Sequence, residues 1–131
     1  MNGYLAVFLV GGAGCATRMA ISWWCTVKFG PSFPIGTLVV NVVGCFLIGV
    51  FAGLTRSDGG WDLPPIVRQA VMLGFLGGFT TFSSFALQTL NLVQDGQWFF
   101  ASLNVGLSIV LCLIAVWLGW VAAVFLIRPL P

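Results

Sequence analysis

The residues best suited to chemistry lie in one stretch, GFLGGFTTFSSF, at positions 74–85. Its two adjacent glycines and two β-branched threonines are poor helix formers, so a helix that contains them is expected to break. Breaks in membrane helices commonly bind ions, because they expose carbonyl oxygens on one side and N–H groups on the other. Phenyl rings have a positive edge, so inward-pointing rings and nearby hydroxyls can contact an anion. The stretch therefore predicts an ion site, with a simple glycine packing notch as the alternative. Its side-chain candidates are Phe79, Phe82, Phe85, Ser83 and Ser84.

Four polar side chains outside this stretch stand among apolar neighbours. Asn41 carries two N–H donors and is costly in hydrocarbon unless it is paired. Asn104 and Ser108 lie four residues apart, so a helix presents them on one face. Arg18 lies ten residues before the nearest other charge, Lys28, and a charge inside a membrane is a functional-site hypothesis by default. These donors favour an anion path; the alternatives are interhelical hydrogen bonds and a snorkelling arginine.

Acidic residues are predicted only in loops, where Asp58, Asp62 and Asp95 fall. Proton-coupled transporters usually need a buried carboxylate, and none is available here.

The sequence has no His and no C-x-x-C pair, which argues against a zinc or iron–sulfur site. The cysteines are interpreted as small apolar residues: Cys15, Cys25, Cys45 and Cys112. No nucleophile–base pair is visible, so we do not expect an enzyme.

Membrane-spanning helices must position these residues. The chain has 131 residues, of which 60% are hydrophobic and 6% charged, whereas soluble domains average about 25% charged residues. A spanning helix needs about 20 mostly apolar residues. Four segments qualify, at about 3–28, 35–55, 66–93 and 98–127. We predict an all-α integral membrane protein, a single domain over 1–131 with four transmembrane helices, the third broken in the middle at Gly77–Thr80.

Small residues at helical spacing predict close contacts between these helices. Gly49 and Gly53 form one such pair, and Gly74 and Gly78 form another. In lipid, such faces let helix backbones approach closely, so we interpret these glycines as packing positions.

Basic residues orient the chain only weakly. An even number of spans places both termini on one side of the membrane, together with Arg56, Arg68 and Arg128, and it places Lys28 on the other side with Arg18 close to it. Because the bias is small, insertion in both orientations is a hypothesis.

The residues described so far resemble the fluoride channel family known as Fluc or CrcB, across all four segments. The matching stretches are the glycine-rich start that ends in Arg18, the segment PIGTL with its continuation through Asn41 to Gly44, and the stretch at 74–85. The last of these is highly specific, whereas the others alone would be weak.

The resemblance implies a passive fluoride exporter in the bacterial plasma membrane, which lowers cytoplasmic fluoride. It also implies an antiparallel, dual-topology homodimer with two fluoride pores and a structural sodium ion (Na+) at its centre. The sodium would be bound by the main-chain carbonyls of Gly77 and Thr80. Arg18 would be the vestibule arginine, and the pore residues would be Phe82, Phe85, Asn41, Ser83, Ser84 and Ser108.

Three positions depart from the common family pattern. Gln88 stands where many members have Glu, Asn104 where many have an aromatic residue, and Cys112 where many have Ser. Two other functions stay open: a small four-helix dimeric multidrug or cation transporter, and a non-conducting assembly subunit. The first would require a proton gradient for flux, and the second would show no flux at all.

Overall fold

Four helical spans make up the part of the chain that the computed structural model describes, residues 3–56 and 60–127. Helix α1 is Gly3–Phe29, α2 is Ile35–Leu54 and α5 is Trp98–Ile127. The third span, Pro65–Gln94, consists of two helices: α3 begins at Pro65 and ends at Phe79, and α4 is Phe82–Gln94. All four spans are long and apolar enough to cross a membrane, and the described residues contain no strand. The predicted fold class is confirmed, and the observed ends lie within one residue of the predicted ones. The predictions for Asp58 and Arg128 concern residues outside the described ranges.

The third span breaks at Thr80 and Thr81, the two residues between α3 and α4. Thr80 (φ −85°, ψ 158°) and Thr81 (φ −153°, ψ 116°) are extended, as expected for consecutive β-branched residues. The predicted break is therefore confirmed, but its centre lies later in the chain than Gly77–Thr80, since Gly77–Phe79 is still helical.

Helix α3 is irregular before the break. It starts as an α-helix at Pro65–Gln69, widens into a π-helix at Ala70–Leu76 and closes with one turn at Gly77–Phe79. The π-helix was not predicted, because hydrophobic periodicity does not distinguish it from an α-helix.

Glycines allow α1 and α3 to touch through their backbones. A β-carbon on Gly14 would collide with the carbonyl oxygen of Phe75, and one on Gly78 would collide with that of Gly11. This contact fixes the end of α3 against α1, immediately before the break.

Helices α2 and α5 run side by side in the same direction, with Gly49 against Val116 and Gly53 against Ala123. A β-carbon on Gly119 would collide with the carbonyl oxygen of Phe46. The packing predicted for the glycine pairs is present, and it places the polar face of α5 beside Asn41 of α2.

Replacing Gly119 with alanine is expected to destabilise the fold by about 1–3 kcal/mol, because the obstructing atoms belong to the backbone and cannot rotate away. The matched control is Gly106→Ala on the same helix, where nothing lies within 4 Å of the added carbon. That variant should be neutral or more stable by up to about 1 kcal/mol. Thermal unfolding in detergent, followed by tryptophan fluorescence, measures both. Equal midpoints for the two variants would contradict the close contact.

Candidate functional site

Asn41 of α2 holds the broken backbone of the third span. Its Nδ2 donates to the carbonyl oxygen of Thr81 (3.0 Å), and its Oδ1 accepts from the N–H of Thr81 (2.7 Å). Both residues are buried. Since a backbone N–H can only donate, the orientation of the amide is fixed by the bond to Oδ1. The predicted interhelical role of Asn41 is therefore present, and one Nδ2 hydrogen remains for another acceptor.

The hydroxyl of Thr81 caps helix α4. It accepts from the N–H of Ser84 (3.2 Å) and donates to the hydroxyl of that serine (3.0 Å), while Ser83 lies 3.2 Å away. Threonine is a favoured N-cap because its oxygen satisfies one of the free N–H groups of the first turn. Ser83 and Ser84, both predicted pore residues, thus form one hydroxyl cluster with Thr81.

A cavity of about 340 Å³, here called the phenylalanine cavity, lies between α2, the break, α4 and α5. Four of the predicted pore residues line it together with Thr80 and Thr81: Asn41, Phe82, Phe85 and Ser108. The rings of Phe82 and Phe85 are 5.3 Å apart at 49°. Phe85 is buried, whereas Phe82 is 79% exposed on the surface of the single chain.

Ser108 has a hydroxyl that faces this cavity without a partner in the rest of the described chain. The side chain is buried and makes no hydrogen bond to another described residue. A free hydroxyl in an apolar cavity is available to a ligand that accepts hydrogen bonds.

A second cavity, here called the arginine cavity, has a volume of about 510 Å³. Arg18 lines it together with Thr37, Ser84 and Gln88, and its Nη2 lies 3.5 Å from Cys15 Sγ. Thr81 lines both cavities, so this residue stands between the arginine side and the phenylalanine side.

The family model described as "CrcB-like protein, Camphor Resistance (CrcB)" matches residues 5–120. The chain belongs to the CrcB family. A relative from Opitutus terrae is 55% identical over 95% of this chain and 94% of its own length, and one from Rhodospirillum rubrum is 50% identical over 94% and 95%. A third, from Methylocella silvestris, is 46% identical over 92% of both chains. All three are named fluoride-specific ion channel FluC. The predicted resemblance is confirmed, and with its four spans this CrcB chain is a multi-pass protein of a bacterial inner membrane.

Asn104 does not reach either cavity of this CrcB chain. Its Nδ2 donates to Thr89 Oγ1 (2.9 Å), which in turn donates to the carbonyl oxygen of Phe85 (2.8 Å). Asn104 is almost fully buried and joins α5 to α4. The predicted shared face of Asn104 and Ser108 exists, but only Ser108 turns toward the phenylalanine cavity.

The carbonyl groups of Gly77 and Thr80 fit the chemistry of a sodium site. Across the described residues, no backbone N–H donates to either carbonyl, because the N–H of Thr81 binds Asn41 instead and α4 begins only at Phe82. Free carbonyl oxygens at a helix break are suitable ligands for a hard cation. Gly77 is also exposed on the surface of the single chain.

Sequence reasoning missed the side chains of Thr81 and Cys45 as parts of the site. The pattern Thr-x-x-Ser before an apolar run is an N-cap signal and could have identified Thr81. Cys45 had no such signal, because its place in the phenylalanine cavity depends on the register between α2 and α5.

Proposed function

We propose that this chain forms a passive, fluoride-selective channel that exports fluoride and lowers its cytoplasmic concentration. The observation that carries the proposal is the full-length similarity to proteins named fluoride-specific ion channels. The donors that line the two cavities on either side of Thr81 support it.

Fluoride must exchange water for protein donors along a narrow path. Arg18 would attract the anion into the arginine cavity, where the Ser84 hydroxyl lies close to Thr81. On the other side, the remaining N–H of Asn41, the hydroxyl of Ser108 and the edges of the two phenyl rings would receive it. No acidic residue lines either cavity among the described residues, so no carboxylate opposes the anion.

Fluoride flux tests the proposal directly. We expect liposomes that contain the purified protein to release fluoride much faster than chloride, without a proton gradient. Fluoride release is followed with an ion-selective electrode, and chloride-loaded vesicles and protein-free vesicles are the controls. Equal release of the two anions, or no fluoride release, would refute the proposal. Flux that needs a proton gradient would favour a coupled transporter.

A second, antiparallel copy of the chain would complete the path. Gly77, Phe82 and Ser83 are exposed near the centre of the third span, beside the helix break. Irregular backbone and small residues at this depth of a membrane are found where protein covers them, so a facing protein surface fits this region better than lipid does. The weak charge bias is compatible with insertion of the two copies in opposite orientations.

Sodium would be held between the two copies by the carbonyls of Gly77 and Thr80. When bound, it would supply a fixed positive charge that keeps the two breaks together. We expect replacement of sodium with N-methylglucamine to reduce both fluoride flux and the dimer fraction measured by light scattering in detergent. Potassium at the same ionic strength is the control for salt. A dimer fraction and flux that both stay unchanged without sodium would rule out this role.

A further inference from the structure

Two thiols that are far apart in the sequence meet in the phenylalanine cavity. Cys45 of α2 and Cys112 of α5 both line it, and both are free. The two side chains are neighbours in the wall of this cavity. The parallel contact between α2 and α5 fixes this proximity, because Gly49 and Val116 touch one turn further along the two helices.

The cavity around the thiols determines which ligand they can take. Its other walls near Cys112 are apolar, including Ile109 and Leu113. A doubly charged cation next to these apolar side chains is costly, so a metal ion bound there must be neutralised by its own ligands. Two thiolates carry two negative charges and therefore neutralise a divalent cation.

Thiolates select soft metals, and two of them suffice for a metal that prefers linear coordination. Mercuric ion is soft, divalent and linear in its thiolate complexes. Binding from mercuric chloride is balanced as HgCl₂ plus two thiols giving a neutral mercury dithiolate, two protons and two chloride ions. No oxidant or reductant is required.

We propose that Cys45 and Cys112 form a two-thiolate site for a soft divalent metal inside the phenylalanine cavity, and that a metal bound there blocks the cavity. The metal site is inferred from the positions of the two thiols alone. The block of transport also rests on the proposed function, because it requires that fluoride passes through this cavity.

The other two cysteines are too far apart to bind one metal ion together within one chain. Cys15 and Cys25 lie on the same helix, ten residues apart, which corresponds to about 15 Å of rise. Each can therefore hold mercury through one thiol only. A monothiol competitor such as glutathione removes such singly bound metal, while a bridging site retains it because the second thiol is always close.

Mercury retention is the first measurement. Purified protein is treated with mercuric chloride, washed with glutathione, and examined by metal analysis and by the ultraviolet charge-transfer absorbance of a mercury dithiolate. We expect one mercury per chain in the wild type and in the control Cys15→Ser. Cys45→Ser and Cys112→Ser should each lose the retained metal completely, since either one removes the bridge. Retention that is the same in all four proteins, or absent from the wild type, would overturn the site.

Fluoride efflux is the second measurement and separates the two proposals. Efflux after mercury treatment and the glutathione wash is compared with the untreated rate of the same protein, so that any effect of a substitution on the basal rate cancels. Mercury should abolish efflux in the wild type and in Cys15→Ser, and dithiothreitol should restore it, whereas treatment should leave each bridge variant at its own untreated rate. Retained mercury with undiminished efflux would overturn the block. A protein that retains mercury but never conducts fluoride would refute the proposed function and leave the metal site standing. Elution as a single species from gel filtration checks the folding of each variant.

Discussion

Replacing Phe82 with isoleucine is expected to slow fluoride efflux from liposomes by up to about tenfold. An edge-on contact between two aromatic rings contributes about 0.5–1.5 kcal/mol; we assign the same range to a ring edge that faces fluoride, and about 1.4 kcal/mol corresponds to a factor of ten. Phe82 lines the phenylalanine cavity but is 79% exposed in the single chain. Its ring contributes little to the packing of its own chain, so a lower flux would reflect the missing ring edge. Initial rates at equal protein density, measured with the fluoride electrode, give the effect.

Two further variants are measured beside Phe82→Ile, one as a control and one at the second ring of the cavity. Phe8→Ile on α1 is the matched control, since Phe8 is 74% exposed and does not line the phenylalanine cavity. It should conduct like the wild type. Phe85→Ile should also slow efflux, but its ring is buried, so a packing loss of about 1 kcal/mol accompanies the effect. Wild-type rates in both Phe82→Ile and Phe85→Ile would remove the rings from the mechanism.

Replacing Asn41 with alanine is expected to destabilise the fold by about 1–3 kcal/mol, the usual cost of leaving buried polar groups unpaired. Side-chain hydrogen bonds within membranes average only about 0.6 kcal/mol, because the separated helices find other partners. The N–H and C=O of Thr81 lie at a break, where a continuous helix cannot supply those partners, so the higher range applies. Titration of the folded protein with denaturing detergent measures the change. Asn91→Ala, at an exposed position on α4, is the control and should change stability little.

Asn41→Asp tests whether fluoride passes close to this residue. The carboxylate still accepts from the N–H of Thr81, but it cannot donate to the carbonyl and places a negative charge beside the fluoride path. We expect it to have lost fluoride efflux, because the charge repels the anion, and to be no more stable than Asn41→Ala, because a buried charge that faces a carbonyl oxygen is costly. A conducting Asn41→Asp channel would show that fluoride does not pass close to Asn41.

Much of the fold was predictable because the membrane restricts the possibilities. Spans must be long and apolar, so the ends of α1, α2 and α5 followed from hydropathy, and glycine with threonine indicated a break. The exact position of that break was not predictable. It depends on Asn41, which binds the peptide of Thr81 and so terminates the helix after Phe79.

Several residues that line the candidate site were singled out from the sequence, namely Asn41, Phe82, Phe85 and Ser108, but their contacts with one another were not. On their shared helix face, Asn104 and Ser108 were equally suited to line a site as far as the sequence shows. The hydrogen bond from Asn104 to Thr89 depends on how α4 packs against α5. The meeting of Cys45 with Cys112 likewise depends on the register of two helices that are distant in the sequence. Hydrophobic periodicity indicates which face of a single helix is buried. It does not predict which residues of two different helices come into contact.

Thr81, which lies between the two cavities, bears on how this protein can evolve. Its N–H and C=O are present whichever side chain is attached, but a mutation at position 81 removes the hydroxyl that caps α4 and contacts Ser83 and Ser84. The hydrogen bonds that hold this N–H and C=O come from Asn41, on a different helix. Inherited changes in selectivity are therefore expected to arise along α2 more readily than at the break, and mutational scanning of both segments would map this difference.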